Sequence, residues 1–312
     1  MPSQPVWGTR GLAELPQVEV LPPPAMPGQR VWVHVLLFLL TILTTVGVGG
    51  WRFSAGLLSI LLAHEFGHYF TARRYRVPAS LPYFIPFPIS LFGTLGAFIR
   101  MSPRIPDRRA LFDIAAAGPL AGLVLAIPLS YMGISLSEVV RKDALPGNMI
   151  TLGEPLLFQY LGWLAHGSIG KDADLVLHPL AFAGWAGMFV TALNLLPVGQ
   201  LDGGHISHAL FGGKSRRVGL SIFAGLAAYS VVPILGQLLI VALPAWFEGL
   251  SRYPFFNQEP SWLFLLVLLW LIGFRHPRTG DDEFPLGSSR QALGALLGLI
   301  FALCFSLDPI KF

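Results

Sequence analysis

The apolar run Phe53–Ala72, which contains two histidines and a glutamate, constrains the fold more than any other part of the sequence. A helix of about 20 apolar residues crosses a bilayer. Within the run, His64-Glu65-Phe66-Gly67-His68 places the histidines four residues apart. Positions i and i+4 share one helix face, so the two imidazoles can bind one zinc ion together. A carboxylate inside a membrane helix is costly, so Glu65 is a candidate functional residue.

The alternative to a catalytic zinc site is a structural one. Structural sites usually have four protein ligands, often cysteines, and this chain has a single cysteine, Cys304. A catalytic site keeps one position open for water, and Glu65 could accept a proton from that water. We therefore interpret the motif as a catalytic site for one zinc ion with Glu65 as general base. The single cysteine also excludes an intramolecular disulfide.

The composition indicates a polytopic membrane protein. The 312-residue chain is 54% hydrophobic and 12% charged, whereas soluble domains are about 25% charged. We expect an all-α fold with about seven transmembrane helices. The predicted spans are Val31–Gly49, Phe53–Ala72, Leu111–Tyr131, His178–Leu196 and roughly 218–245, 261–274 and 289–307.

The uncharged segment Leu81–Ile99 is not predicted to span. It contains three prolines and two glycines, and a single membrane helix does not tolerate so many breakers. We expect a short re-entrant or interfacial β-like segment near residues 81–101, with Gly93–Met101 extended. An open strand edge can pair with a peptide, whereas a loop would only anchor the protein at the interface. The candidate substrate-binding residues are Gly93, Thr94, Leu95, Gly96, Ala97, Phe98 and Ile99.

The distribution of positive charge supports this layout. With the N-terminus inside, fifteen of the 21 Lys and Arg residues fall on the inner side, as the positive-inside rule requires. The arginines lie at span ends, so we expect the lipid bilayer as surroundings and no nucleic-acid partner.

The chain divides into three predicted regions. Residues 1–30 form a flexible Pro-rich cytoplasmic tail, 31–210 the catalytic membrane core with the zinc site, and 211–312 the C-terminal transmembrane helices. The tail has neither a signal-peptide pattern nor transit-peptide composition. We therefore expect a bacterial inner (plasma) membrane, with the N-terminus in the cytoplasm.

A third zinc ligand is needed, and Asp202 is the best candidate. It follows an apolar span, in backbone loosened by Pro197 and by Gly203 and Gly204. On its own, Asp-Gly more often marks a turn, but together with the histidine pair it favours a ligand. His205 and His208 are the rival ligands, and we expect both to face the aqueous edge.

These motifs resemble the site-two protease family of intramembrane zinc metalloproteases. The resemblance rests on the HExxH motif combined with Asn194-x-x-Pro197-x-x-x-x-Asp202-Gly203-Gly204, and covers about residues 51–210. The stretches 108–113 and 117–122 are similar to those of bacterial and plastid members. The resemblance implies that His64, His68 and Asp202 bind zinc and that Glu65 is the base. It also implies that Asn194 holds substrate or the oxyanion.

The resemblance implies hydrolysis of peptide bonds within or next to the transmembrane segments of single-span membrane proteins, as in regulated intramembrane proteolysis. Many members carry a PDZ domain in the connection that corresponds to residues 135–177, which is too short for one here. We interpret Gly118 and Gly122, at GxxxG spacing, as helix packing. The alternative functions are a membrane zinc-binding transporter or sensor and a non-proteolytic helix-binding scaffold, neither of which needs a general base.

Overall fold

The computed structural model describes residues 30–145, 150–170, 172–243, 246, 248–253, 255, 262–273, 280 and 285–311. Apart from Arg30, the predicted tail lies outside these residues. The described chain is mostly helical. The helices are α1 Val31–Arg74, α2 Arg108–Ser135, α3 Leu156–His166, α4 Pro179–Leu195, α5 Asp202–Phe211, α6 Ser215–Ala242, α7 Leu263–Ile272 and α8 Ser288–Cys304. The strands are β1 Tyr83–Pro86, β2 Thr94–Phe98, β3 Glu138–Arg141, β4 Thr151–Leu152, β5 Ala173–Val176 and β6 Ile310–Lys311.

Helix α1 is interrupted at Gly50 and folds back on itself. Gly50 has φ 77° and ψ 177°, a backbone conformation that glycine adopts easily. The hydroxyls of Thr45 and Ser54 are 2.7 Å apart. In a straight helix nine residues span about 13 Å, so the two halves form a hairpin. The boundary predicted between the spans Val31–Gly49 and Phe53–Ala72 is therefore confirmed, with one helical half on each side of it.

The second half of α1, α2 and α4 form the core of the molecule. Phe53 of α1 stacks on Phe182 of α4, with ring centroids 4.8 Å apart. Trp185 is 1% exposed and stacks on Phe189. Inside a bilayer, helices associate through close van der Waals packing, and contacts such as these hold the three helices together and so position the residues of the HExxH motif.

The segment near residues 81–101 forms a β-hairpin and not a span. Strands β1 and β2 pair antiparallel, with Tyr83 opposite Phe98 and Phe84 opposite Ala97. The hairpin is held on the first half of α1, where His34 Nδ1 is hydrogen bonded to the Pro82 carbonyl at 3.0 Å. The extended conformation predicted for Gly93–Met101 is confirmed over β2, and the sequence analysis did not identify its partner β1.

The all-α expectation needs a correction outside the hairpin. In the connection after α2, β3 pairs with β5, so that Glu138 lies opposite Val176. β4 pairs with β6 from the end of the chain. Strands of two to four residues whose partners lie 32 or more positions away leave no readable alternation in the sequence.

Three helical segments of the described chain are long and apolar enough to cross a membrane: Val31–Arg74, Arg108–Ser135 and Asp202–Ala242. The last joins α5 and α6 through a short 3-10 turn. Helices α4 and α8 are apolar but have 17 residues each. Helix α7, at the predicted sixth span, has ten residues.

Candidate metal centre

Three potential metal ligands converge from two helices. His64 and His68 lie one turn apart on α1, and Asp202 is the first residue of α5. The two Nε2 atoms are 3.1 Å apart, and each is 3.3 Å from Asp202 Oδ2. The histidines are buried, with 3% and 6% of their surface exposed.

This geometry fits a zinc ion. Zinc binds histidine nitrogen and carboxylate oxygen at about 2.0–2.2 Å in a tetrahedral arrangement, which places neighbouring ligand atoms about 3.3 Å apart. The three distances match that spacing. Three protein ligands are also the number that leaves one position open for water. Within the described chain, this is the group of His, Cys, Asp and Glu side chains that could hold a metal.

The ring of His68 is fixed by the backbone of α2. Its Nδ1 lies 2.8 Å from the carbonyl oxygen of Ile114, and because a carbonyl oxygen only accepts hydrogen bonds, Nδ1 is the donor. Its Nε2 then faces His64 Nε2 and Asp202 Oδ2. Such a second contact sets the tautomer and orientation of a metal-ligating histidine. No sequence signal identified Ile114, because its backbone and not its side chain makes the contact.

Glycines of α2 make room for the ligand rings. A Cβ built at Gly118 would overlap the His68 ring. At Gly122 it would lie 3.3 Å from the Cβ of His64. The spacing that the sequence analysis interpreted as helix packing therefore brings α2 against both histidines. The signal was visible in the sequence, but its bearing on the centre required the structure.

Helix α5 places Asp202 at its N-terminus, where the helix dipole favours a carboxylate. The other end of α5 is tied to α2, because the Arg108 side chain donates to the Ala209 carbonyl through Nε at 3.0 Å. The guanidinium also donates to this oxygen through a second nitrogen, Nη2. These bonds hold α5 along its length beside the helix that fixes His68.

A cavity of about 380 Å³ opens beside the three ligands. Glu65 and Asn194 line it, and so do Ala97 and Phe98 at the end of β2 and the following residue, Ile99. Glu65 is 5% exposed, and its carboxylate is hydrogen bonded to the backbone of Ile99. The same cavity is thus lined by the predicted base, by the predicted zinc ligands and by part of the predicted extended segment.

The other predicted site residues occupy different positions. The Asn194 amide nitrogen is 3.2 Å from His64 Nε2. His205 lines the cavity but is not in the ligand group. His208 is 8% exposed, with Nδ1 3.5 Å from the Ser215 hydroxyl. The expectation that His208 faces an aqueous edge is therefore wrong, because α6 packs against α5 at this point.

Of the candidate docking residues, Gly93 lies outside the cavity. Its backbone approaches Thr44 of α1, where a Cβ would lie 2.6 Å from the Thr44 carbonyl oxygen. Thr94 is buried, and its hydroxyl donates to the Ile85 carbonyl at 2.8 Å. Leu95 is 53% exposed, and Gly96 has φ 100°.

A second polar cluster joins the C-terminal end of α1 to the N-terminal parts of α2 and α8. Arg290 donates to both oxygens of Asp113, through Nε at 2.8 Å and Nη2 at 2.7 Å. The Tyr75 hydroxyl donates to the same carboxylate. Partial burial and this donation raise the pKa of Tyr75. The cluster ties the end of the HExxH helix to the last helix of the chain.

Comparison with known proteins gives one family. The sequence model of Peptidase family M50 matches residues 52–235. The chain is 40% identical over 164 residues to EGY1 of Arabidopsis thaliana, named a probable chloroplastic zinc metalloprotease; the match covers 50% of this chain and 29% of that protein.

Two other relatives carry the same kind of name. Identity is 33% over 205 residues to EGY2 of Oryza sativa subsp. indica, covering 60% of this chain and 35% of the relative. The identity to EGY3 of the same subspecies is 31% over 259 residues, and the match covers 79% of this chain and 40% of the relative. The chain thus spans roughly a third of the length of the curated relatives that it matches.

Proposed function

The chain belongs to Peptidase family M50, and on this premise we propose that it is a membrane zinc metallopeptidase that hydrolyses peptide bonds within or next to transmembrane segments. The observation that carries the proposal is the convergence of His64, His68 and Asp202 beside Glu65 in one cavity. A metal group without an adjacent carboxylate would suit binding alone. The position of Glu65 beside the ligands favours a hydrolytic site over a site that only binds metal.

Each residue has a distinct role in the proposed reaction. His64, His68 and Asp202 would hold zinc, which when bound acidifies water and polarises a peptide carbonyl. Glu65 accepts a proton from the attacking water and returns it to the leaving amine as the C–N bond breaks. Asn194, within hydrogen-bond distance of the centre, donates to the carbonyl oxygen or to the substrate backbone.

We propose that the substrate is a single-span membrane protein that binds along β2. A helix hides its carbonyls in hydrogen bonds, so the substrate must be extended before it can be cut. β2 pairs with β1 on one edge, and no second strand partner is present among the described residues. Strand addition at the other edge would lead a peptide past Ile99 to Glu65.

A proline scan through Thr94, Leu95, Ala97 and Phe98 tests this docking, since each proline removes one backbone donor. Ile99 is left out of the scan because its backbone is hydrogen bonded to the Glu65 carboxylate. If the backbone docks substrate, activity falls at alternate positions while zinc content and expression stay constant. A uniform response, or none, leaves the hairpin as an interfacial anchor.

The decisive experiment measures cleavage directly. Purified protein in detergent is incubated with single-span reporter proteins, with and without a zinc chelator, beside the Glu65→Gln variant. We expect fragments only from the untreated wild type, restored when zinc is added back. Zinc movement across vesicles without cleavage would indicate a transporter, and substrate capture without cleavage a scaffold.

We propose a bacterial plasma membrane as the location, with the basic inner ends of the helices in the cytoplasm. The charge bias of the sequence supports this orientation. The relatives named above are chloroplastic by name, so fractionation of cells that express the chain natively is the test. Recovery outside the membrane fraction would exclude the proposal.

A further inference from the structure

A second cavity of about 610 Å³ lies behind the metal centre, between α5, α6 and α8. Its walls are apolar and include Ile206, Leu210, Ile222, Leu297 and Phe301. The catalytic proposal does not use it, and Gly203, next to Asp202, is part of its wall. We refer to this cavity as the α8 groove.

The α8 groove contains a buried hydroxyl without a partner. Ser207 of α5 is 3% exposed, and within the described chain its Oγ makes no hydrogen bond. Leaving a buried polar group unpaired costs about 1–3 kcal/mol. Ser207 lines the groove, so a carbonyl oxygen of an occupant would satisfy this hydroxyl.

Three cations precede the α8 groove in the chain. Lys214, Arg216 and Arg217 are exposed and lie one to four residues before the groove-lining Val218. None of these three cations forms an ion pair with another described residue. The sequence has no Asp or Glu between residues 203 and 242 or within α8. The positive-inside rule accounts for the membrane side of these charges, but not for the groove beneath them.

The order of chemistry along the groove follows that of a phospholipid. Along the chain the exposed cations come before the groove-lining Val218. On α5, Ser207 lies one helical turn before Phe211, and both residues line the groove. The rest of the lining is mainly apolar, and α8 runs about 15 Å from Gln291 to Phe301 along it. A glycerophospholipid has its phosphate, ester carbonyls and acyl chains in this same order.

We propose that the α8 groove binds one anionic glycerophospholipid. The phosphate would pair with Lys214, Arg216 and Arg217, since basic residues at the inner surface attract anionic headgroups. An ester carbonyl would accept from Ser207, and an acyl chain would occupy the apolar part. The occupant would support α5 from the side opposite the metal centre. The site does not depend on the proposed activity.

The test compares two lipids on the full-length protein. Purified, delipidated protein in detergent is titrated with dioleoyl phosphatidylglycerol or dioleoyl phosphatidylcholine, and bound lipid is counted by native mass spectrometry. We expect one tightly held phosphatidylglycerol, retained at least tenfold better than phosphatidylcholine. Equal retention of the two lipids would overturn the proposal.

A groove-filling variant has a matched control. Gly298 lines the groove, and a Cβ there would meet no atom within 4 Å, so Gly298→Leu can fill the space without a clash. Gly225 on α6 is equally open but lies outside the groove lining. We expect Gly298→Leu to lose the bound phosphatidylglycerol and Gly225→Leu to keep it. Retention in both variants would exclude the groove as the site.

Polar variants test the two contacts separately. Ser207→Ala should weaken phosphatidylglycerol binding about fivefold, the effect of one hydrogen bond. Arg216→Gln combined with Arg217→Gln should weaken it roughly thirtyfold, and the charge-matched pair Arg74→Gln and Arg104→Gln should not. Equal losses in both arginine pairs would reduce the effect to net charge. A crosslink through Gly298→Cys to a second copy or to a peptide would assign the groove to a protein partner and reject the lipid.

Discussion

The molecule contains two carboxylate clusters among apolar helices, and they differ in how the negative charge is balanced. Asp113 has a cation, because Arg290 donates to both of its oxygens and Tyr75 adds a third bond. Asp202 faces the Nε2 atoms of His64 and His68 at 3.3 Å. His68 donates its other ring nitrogen to Ile114.

The difference separates a structural tie from a metal centre. Arg290 balances the charge of Asp113 and donates to both of its oxygens, so the Asp113 cluster can join three helices without a further ligand. Around Asp202 the two Nε2 atoms and the carboxylate oxygen lie 3.1–3.3 Å from one another, which is the spacing of three ligands around one zinc ion. Removing a member of the Asp202 cluster should therefore change catalysis or metal content. Removing a member of the Asp113 cluster should change the stability of the protein.

The largest effect on activity is expected at Glu65, which lies beside the Asp202 cluster but is not one of the three potential metal ligands. Glu65→Gln keeps the ligands and removes the base, so peptide cleavage should fall by about 10²–10⁴-fold while one zinc stays bound. Cleavage assays with metal analysis of the same sample measure both. An active Glu65→Gln protein would remove Glu65 from the mechanism.

Removing a ligand should change the metal content itself. Asp202→Ala should lower zinc affinity by more than roughly a hundredfold, since loss of an outer-shell partner alone costs 10–100-fold. His205→Ala and His208→Ala are the controls, and both should keep most of the zinc and the activity. An empty site in His205→Ala with a full one in Asp202→Ala would show that the ligand assignment is wrong.

Substitutions in the Asp113 cluster should change the stability of the protein and not its zinc content. Arg290→Gln leaves Asp113 without its cation in a partly buried site and should cost about 2 kcal/mol, a fall in Tm of roughly 4–8 °C. Arg141→Gln breaks a pair of similar length, 2.8 Å, whose members are 78% and 64% exposed. That control should change Tm little. Loss of zinc in Arg290→Gln, with Tm unchanged, would contradict the division between the clusters.

The smallest effect concerns Glu154, a carboxylate on which the acidic neighbour Asp174 acts more strongly than the cation of Lys142. Partial burial and the nearby Asp174 raise the pKa of Glu154 above 4.5. A raised carboxyl pKa means that its contribution to stability is present below pH 4.5 and is lost as the pH rises through the folded value. Glu154→Gln should match wild type at pH 4 and exceed it by about 1 °C in Tm at pH 8. A Tm difference between the variant and wild type that stays constant from pH 4 to pH 8 would show that titration of Glu154 does not affect stability.

The sequence predicted what depends on local spacing. The two histidines four apart in an apolar run were enough to place them on one helix face, and the resemblance to the site-two protease family is confirmed by the family match. The breakers near Pro82–Pro88 correctly excluded a span. These predictions succeeded because helix periodicity and the effect of proline are short-range properties.

Long-range contacts were not predictable in the same way. Asp113 and Arg290 are 177 positions apart, and neither has a spacing that points to the other. The Ile114 carbonyl has no side-chain signature at all. The GxxxG spacing in α2 indicated close packing but not which residues it would approach. The positions of such groups follow from the packing of whole helices, which a single sequence does not display.

The turn at Gly50 sets the depth of the proposed cut. From Arg52, the second half of α1 runs about 31 Å to Arg73, close to the thickness of a hydrocarbon core. The point midway between His64 and His68 lies about 21 Å along that path, roughly 10 Å from the Arg73 end. A substrate cut at this level would be divided unequally. The fragment on the Arg73 side would keep an apolar stub of about seven helical residues, which is too short to span, and it would be released from the bilayer.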